Sequence, residues 1–202
     1  KDVNISKSGF INFFYNSDYI FNNLNYILKE NSNYGTVKIK NKNIINIEFV
    51  SANPTGPVTI AHMRGAVYGD VLSNILQKIG YKIVKEYYVN DTGSQIEILG
   101  NSLYKRYQEI EGIKVEFNEK EYPGKYLIDI AKKIHLKYKD QWLKEENHNR
   151  KKFFQNFAIT NIINSITTDL NQININFDIF THESDIINKK LINKVFEILK
   201  IN

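Results

Sequence analysis

The sequence predicts an α/β fold built around a parallel sheet, and three observations predict it. Between Asn43 and Val89 a β-prone apolar run, a long helical pattern and a second β-prone run follow one another, the order of a βαβ unit. Helical periodicity then recurs over Ser94–Glu109, Tyr126–Glu145 and Lys151–Asn171. A short β-prone stretch, Asn174–Phe180, precedes a last amphipathic segment, Ser184–Lys200.

The elements are justified in chain order. Gly9–Tyr15 alternates as a strand does, with Ile11, Phe13 and Tyr15 on one face. Ser17 is placed to cap a helix whose Ile20, Phe21, Leu24 and Ile27 share a face. Asn31–Gly35 is polar and turn-rich, and marks the expected domain boundary. Strands are expected at Thr36–Ile39 and Asn43–Val50, with Lys40–Lys42 as the turn between them. A loop, Ser51–Thr59, holds two of the three prolines of the chain. The helix after it is expected to turn Val67, Val71, Leu72, Ile75, Leu76 and Ile79 inward, with Gly80 just past its end. Tyr81–Val89 is the next strand, and Asn90–Gly93 leads into the helix from Ser94. Pro123-Gly124 breaks the chain before the later helices.

Composition narrows the class. The 202 residues, 42% hydrophobic and 24% charged, describe an ordinary globular chain with room for one sizeable core. No apolar run reaches the roughly 20 residues a bilayer requires, so no membrane partner is expected. The absence of cysteine excludes disulfides and thiolate metal sites and fits a cytoplasmic location. A net charge of +5 suits a polyanionic partner and solvated helix faces equally well. His135, His148 and His182 lack metal-ligand spacing and read as surface residues, so no residue is assigned to a metal. Trp142 and the tyrosines read as core. P-loop, dinucleotide-binding and α/β-hydrolase signatures are all missing.

The stretch Glu48–Asp70 carries the chemistry. A strand feeding a proline-bearing loop and then a helix sets backbone N–H groups at the end of a buried strand, where anions bind. Outside such a motif His62 would read as a hydrogen-bonded structural histidine, Asn53 as a turn former and Glu48 as a surface carboxylate. Yet Glu48, Ser51-Ala52-Asn53-Pro54-Thr55-Gly56-Pro57, Ile60, His62 and Arg64-Gly65 closely resemble the first signature of arginyl-tRNA synthetases, class I aminoacyl-tRNA synthetases. Glu86-Tyr87-Tyr88-Val89-Asn90-Asp91-Thr92-Gly93-Ser94-Gln95-Ile96 matches a second stretch of that family. Lys7–Phe14 resembles the closing strand of its N-terminal domain.

The resemblance implies a Rossmann-like nucleotide-binding catalytic core over 34–202, with a helical insertion at about 99–171 that contacts the tRNA acceptor end. Before it would stand the end of a small α/β tRNA-binding domain, 1–33. It further implies a cytoplasmic arginine–tRNA ligase, monomeric at full length, that joins L-arginine to tRNA(Arg) using ATP and Mg²⁺. In this family arginine activation usually requires the tRNA. By resemblance Glu48, Ser51 and Asn53 line the arginine pocket. Gly56, Pro57, Thr59, Ala61 and His62 face ATP, with Thr59 and His62 as the catalytic pair. Activation drives a carboxylate onto the α-phosphate, so such a site must hold two anions and stabilise developing charge.

Two departures accompany the match. The family's His-Ile-Gly-His is here Thr59-Ile60-Ala61-His62. Thr59 offers a hydroxyl without positive charge, and Ala61 adds a methyl beside the adenine position. The second class I signature, Lys-Met-Ser-Lys-Ser, does not occur, so the chain is expected to be a fragment. The alternative expectation is a truncated paralogue that binds tRNA or arginine without catalysis.

Overall fold

The structure, a computed structural model, describes residues 2–37 and 43–201. At its start β1 (Asp2–Ile5) and β2 (Ile11–Phe14) pair antiparallel, so the expected strand has a partner that its polar first residues concealed. Helix α1 (Ser17–Glu30) is capped by Asn16 rather than Ser17, the Asn16 side chain accepting from the Tyr19 N–H at 3.1 Å. Ile20, Phe21, Leu24 and Ile27 do share a face, and it is exposed. A 3₁₀ turn at Asn31–Asn33 follows, within the expected break.

The sheet is three-stranded, parallel and ordered β3-β4-β5, with β3 at Ile44–Glu48, β4 at Lys82–Val89 and β5 at Ile179–His182. It confirms the α/β class and the βαβ unit. Thr36 and Val37 belong to no strand, and the Val37 N–H donates to the Lys78 carbonyl at 3.1 Å. Ile39 and the Lys40–Lys42 turn lie outside the described residues. β5 starts later than Asn174 because Asp178 docks the chain. Its N–H donates to the Lys85 carbonyl (2.9 Å), and its carboxylate accepts from the Lys85 N–H (2.8 Å).

Helix α2 (Ile60–Lys78) connects β3 to β4, and Gly80 just past its end has φ +101°. Its inward side differs from the expected one. Ala66, Gly69 and Ser73 are buried, whereas Val67, Val71, Leu72 and Ile75 remain 38–54% exposed. The reason is steric. The Phe49 ring fills the space under the helix, and a Cβ built on Gly69 would stand 2.3 Å from Phe49 Cγ. Only the small-residue side of α2 can approach that closely.

Between β4 and β5 the chain forms a helical block of α3 (Ser94–Ile110), α4 (Tyr126–Tyr138), α5 (Gln141–Lys144) and α6 (Asn147–Gln172). The helix expected over Tyr126–Glu145 breaks at Lys139, which takes φ +51° and whose carbonyl accepts the Tyr107 hydroxyl. Leu99, Leu103, Tyr107, Leu127, Ile134, Phe154, Ile166 and Leu170 are nearly or wholly inaccessible and share one core with Phe49, Tyr87 and Val89. Trp142 lies in the aromatic part of that block, stacked on Phe153 at 3.8 Å between ring centres. The final helical stretch splits at Lys190 (φ +55°) into α7 (Glu183–Asn188) and α8 (Leu191–Ile201). No helix among the described residues is long and apolar enough to cross a membrane.

Candidate active site

The loop leaving β3 bends sharply, with Val50 at φ +65° and Ser51 at φ +37°. A left-handed backbone at a β-branched residue is strained, so the surroundings must hold it. They do so mainly from β4. The Phe49 N–H donates to the Glu86 carbonyl (3.2 Å), and the Tyr88 N–H donates to Ser51 Oγ (3.0 Å). The fully buried Tyr87 gives its hydroxyl to the Ala52 carbonyl at 2.8 Å. Burial pushes that phenol up to about 12, so it remains a donor at neutral pH. The second sequence stretch is thus the scaffold of the first.

On this scaffold the residues expected at the arginine end form two hydrogen-bonded pairs. The Ser51 hydroxyl donates to the exposed carboxylate of Glu48. Asn53, also exposed, donates through its amide to Gln95 Oε1 at 3.2 Å. Beside them Glu86 pairs in register with Glu48 across the sheet. The Thr181 hydroxyl and the Asn46 amide both donate to Glu86 and hold its carboxyl below the usual range.

The other end of the loop opens α2. Thr59 caps the helix, its Oγ1 accepting from the His62 N–H at 3.5 Å while His62 Nδ1 accepts from the Thr59 N–H at 3.1 Å. This reciprocal capping box places the proton of the neutral imidazole on Nε2. His62 therefore has a structural duty, fixing the first turn of α2. Ala61 is exposed in the first turn, and Pro57 is exposed in the loop. Gly56 faces the Tyr126 ring of α4 at ordinary contact distance. Glu48 and Ser51 thus form one pair and Asn53 and Gln95 another, while Thr59, Ala61 and His62 stand at the helix start.

Several residues gain a role that their sequence context did not suggest. Gln95, from its sequence a residue that either reaches the site or caps its own helix, accepts from Asn53. Asp91 reads as turn chemistry, yet its carboxylate takes the Ser184 N–H (2.9 Å) and hydroxyl (2.8 Å) and pairs with His182 Nδ1 (2.8 Å). Burial opposes the charge on Asp91, but these donors outweigh it and keep the carboxyl below its ordinary value. His182 and His135 are consequently paired rather than free surface residues, His135 with Glu111 at 2.6 Å. The partners lie 91 and 24 residues apart in sequence, beyond the reach of any local spacing signal. Among the described residues no cluster of three His, Asp or Glu side chains is arranged to hold a metal.

A parallel βαβ core, a capped helix at the end of its first strand and a helical block before its third strand make a Rossmann-like arrangement. The family described as "tRNA synthetases class I (R), catalytic domain" matches residues 23–202. The chain is 39% identical over 199 residues to the arginine–tRNA ligase of Ehrlichia ruminantium (strain Welgevonden), covering 98% of this chain and 34% of that protein. It is 42% identical over 198 residues to the arginine–tRNA ligase of Rickettsia bellii (strain OSU 85-389), with the same two coverages. A crystal structure from Campylobacter jejuni, described as a candidate arginyl-tRNA synthetase, superposes with a TM-score of 0.80 at 34% identity, covering 92% of this chain and 40% of that one. Thermus thermophilus arginyl-tRNA synthetase shares the fold at 18% identity, with a TM-score of 0.59 over 99% of this chain and 32% of that one. The chain belongs to the arginyl-tRNA synthetase family, and it spans about a third of the length of the curated relatives it matches.

Proposed function

We propose that this chain supplies part of the catalytic domain of an arginine–tRNA ligase, which activates L-arginine with ATP and transfers it to tRNA(Arg). The observation that carries the reading is the loop from Glu48 to His62, held by Tyr87, Tyr88 and Gln95 of the second family stretch. Residues 1–33 would end a tRNA-binding domain, and 99–171 would be the insertion that meets the acceptor end.

In this reading the exposed Glu48 carboxylate, with Ser51 and Asn53, receives the cationic substrate. Ser51 and Asn53 offer donors or acceptors to its ammonium and carboxylate. The start of α2 faces the ATP phosphates, where the helix dipole and the backbone N–H groups favour negative charge. Thr59 and the Nε2–H of His62 supply further donors as charge develops at the α-phosphate. Holding the carboxylate and the phosphate at the two ends of one rigid loop turns a bimolecular step into an oriented one. Mg²⁺ would arrive bound to ATP. The described residues offer no cluster of three His, Asp or Glu side chains suited to a resident ion.

The test is ATP–pyrophosphate exchange by the full-length protein with tRNA(Arg) present. Exchange is expected with arginine, and exchange with a different amino acid alone would overturn the reading. A second reading, a paralogue that binds without catalysis, draws on Thr59 and Ala61 and on the engagement of the Thr59 hydroxyl with His62 of its own helix. Exchange that appears only in the Thr59→His, Ala61→Gly double variant would favour it.

A further inference from the structure

We propose that Tyr126 is a positioning residue that ties the helical block to the ATP-facing half of the loop, an inference that rests on the function proposed above. Its hydroxyl donates to the carbonyl of Thr55, 71 residues earlier. Its ring covers Gly56, where an added Cβ would sit 3.6 Å from both the ring and its oxygen. Pro57 and Tyr126 together line a cavity of about 200 Å³ shared with Ile130 and Lys133 of α4 and Asn161 of α6. Among the described residues no other side chain donates to the Thr55–Pro57 backbone.

The placement of the ring is built in from the other side as well. A Cβ on Gly124 would fall 2.2 Å from the Tyr126 ring, so the glycine leaves the space that the ring occupies. The segment before it is fastened to α3. The Tyr122 N–H donates to Ser102 Oγ (3.0 Å), the Lys105 ammonium meets Glu121 (2.7 Å), and Arg106 donates to the Pro123 carbonyl. Burial, with Tyr122 nearby, pushes the Tyr126 phenol up to about 12 and so keeps its proton in place for donation. The helical block thereby sets the turn from which α2 starts, and with it the Thr59–His62 cap.

Tyr126→Phe in the full-length protein deletes the donor and keeps the ring. Amide hydrogen exchange over 53–62 should speed up about tenfold, the value of one lost hydrogen bond. The KM for ATP should rise by a similar factor of about ten while the KM for arginine and the affinity for tRNA hold. Gly124→Ala, which displaces the ring and retains the hydroxyl, should loosen the same amides. Unchanged exchange in both variants overturns the proposal. Equal rises in both KM values do so too, because they would mark general loosening rather than positioning. The exchange measurement needs no turnover, so it reports on Tyr126 even if the protein proves not to activate arginine.

Discussion

The helical block and the helix that opens the candidate site are built on opposite packing principles. In α3, α4 and α6 large side chains face one another, and Leu99, Tyr107, Phe154 and Ile134 are wholly inaccessible. In α2 the buried residues are Ala66, Gly69 and Ser73, while Val67, Val71 and Ile75 stand in solvent. The first region owes its stability to buried area, about 25 cal/mol per Å² of apolar surface. The second owes its position to close approach, which a small residue permits and a larger one forbids. Stability and placement are therefore concentrated in different parts of the same chain.

The largest effect that would probe this contrast comes from Phe154, which meets the rings of Tyr104 (5.1 Å), Tyr107 (5.5 Å) and Phe153 (5.4 Å). Phe154→Ala should cost about 3–5 kcal/mol in urea unfolding of the 202-residue chain. A cost below about 1 kcal/mol would deny the block its role as the anchor of the fold. Gly69→Ala comes next. The new methyl would collide with Phe49 and lift α2 from the sheet, costing about 1–3 kcal/mol as overpacking does. A neutral outcome in the same melt would mean that close approach is not what seats the helix. The smallest change is expected from Val71→Lys on the 49% exposed position of α2, within about 0.5 kcal/mol. A large loss there would show that this face is covered in solution, which would collapse the distinction between the two regions.

How much of this was legible depended on the range of the interaction. Local signals placed β3, α2 and β4, because apolar runs and a terminal glycine act over a few residues, whereas the cap that Thr59 forms with His62 was not read. The loop from Glu48 to His62 was legible because its residue types recur together in a family. The inward side of α2 was misread, since hydrophobic periodicity points to the apolar face and says nothing about Phe49 excluding it. The breaks at Lys139 and Lys190 were invisible for a related reason. Lysine carries no turn signal, and the Tyr107 contact that holds Lys139 comes from another helix. Gln95, Asp91 and His182 gained their roles only once β4, α3 and β5 were side by side.

The strained bend at Val50 and Ser51 bears on the order of events during synthesis. This loop leaves the ribosome before any of its supports. Tyr87, Tyr88 and Gln95 come later, Tyr126 later still, and Thr181 beside Glu86 near the end of the sheet. A left-handed valine has no reason to persist in a chain that still lacks these partners. The nascent loop would therefore stay open until the helical block has emerged and folded, and this corner, though translated early, would be among the last parts to take shape.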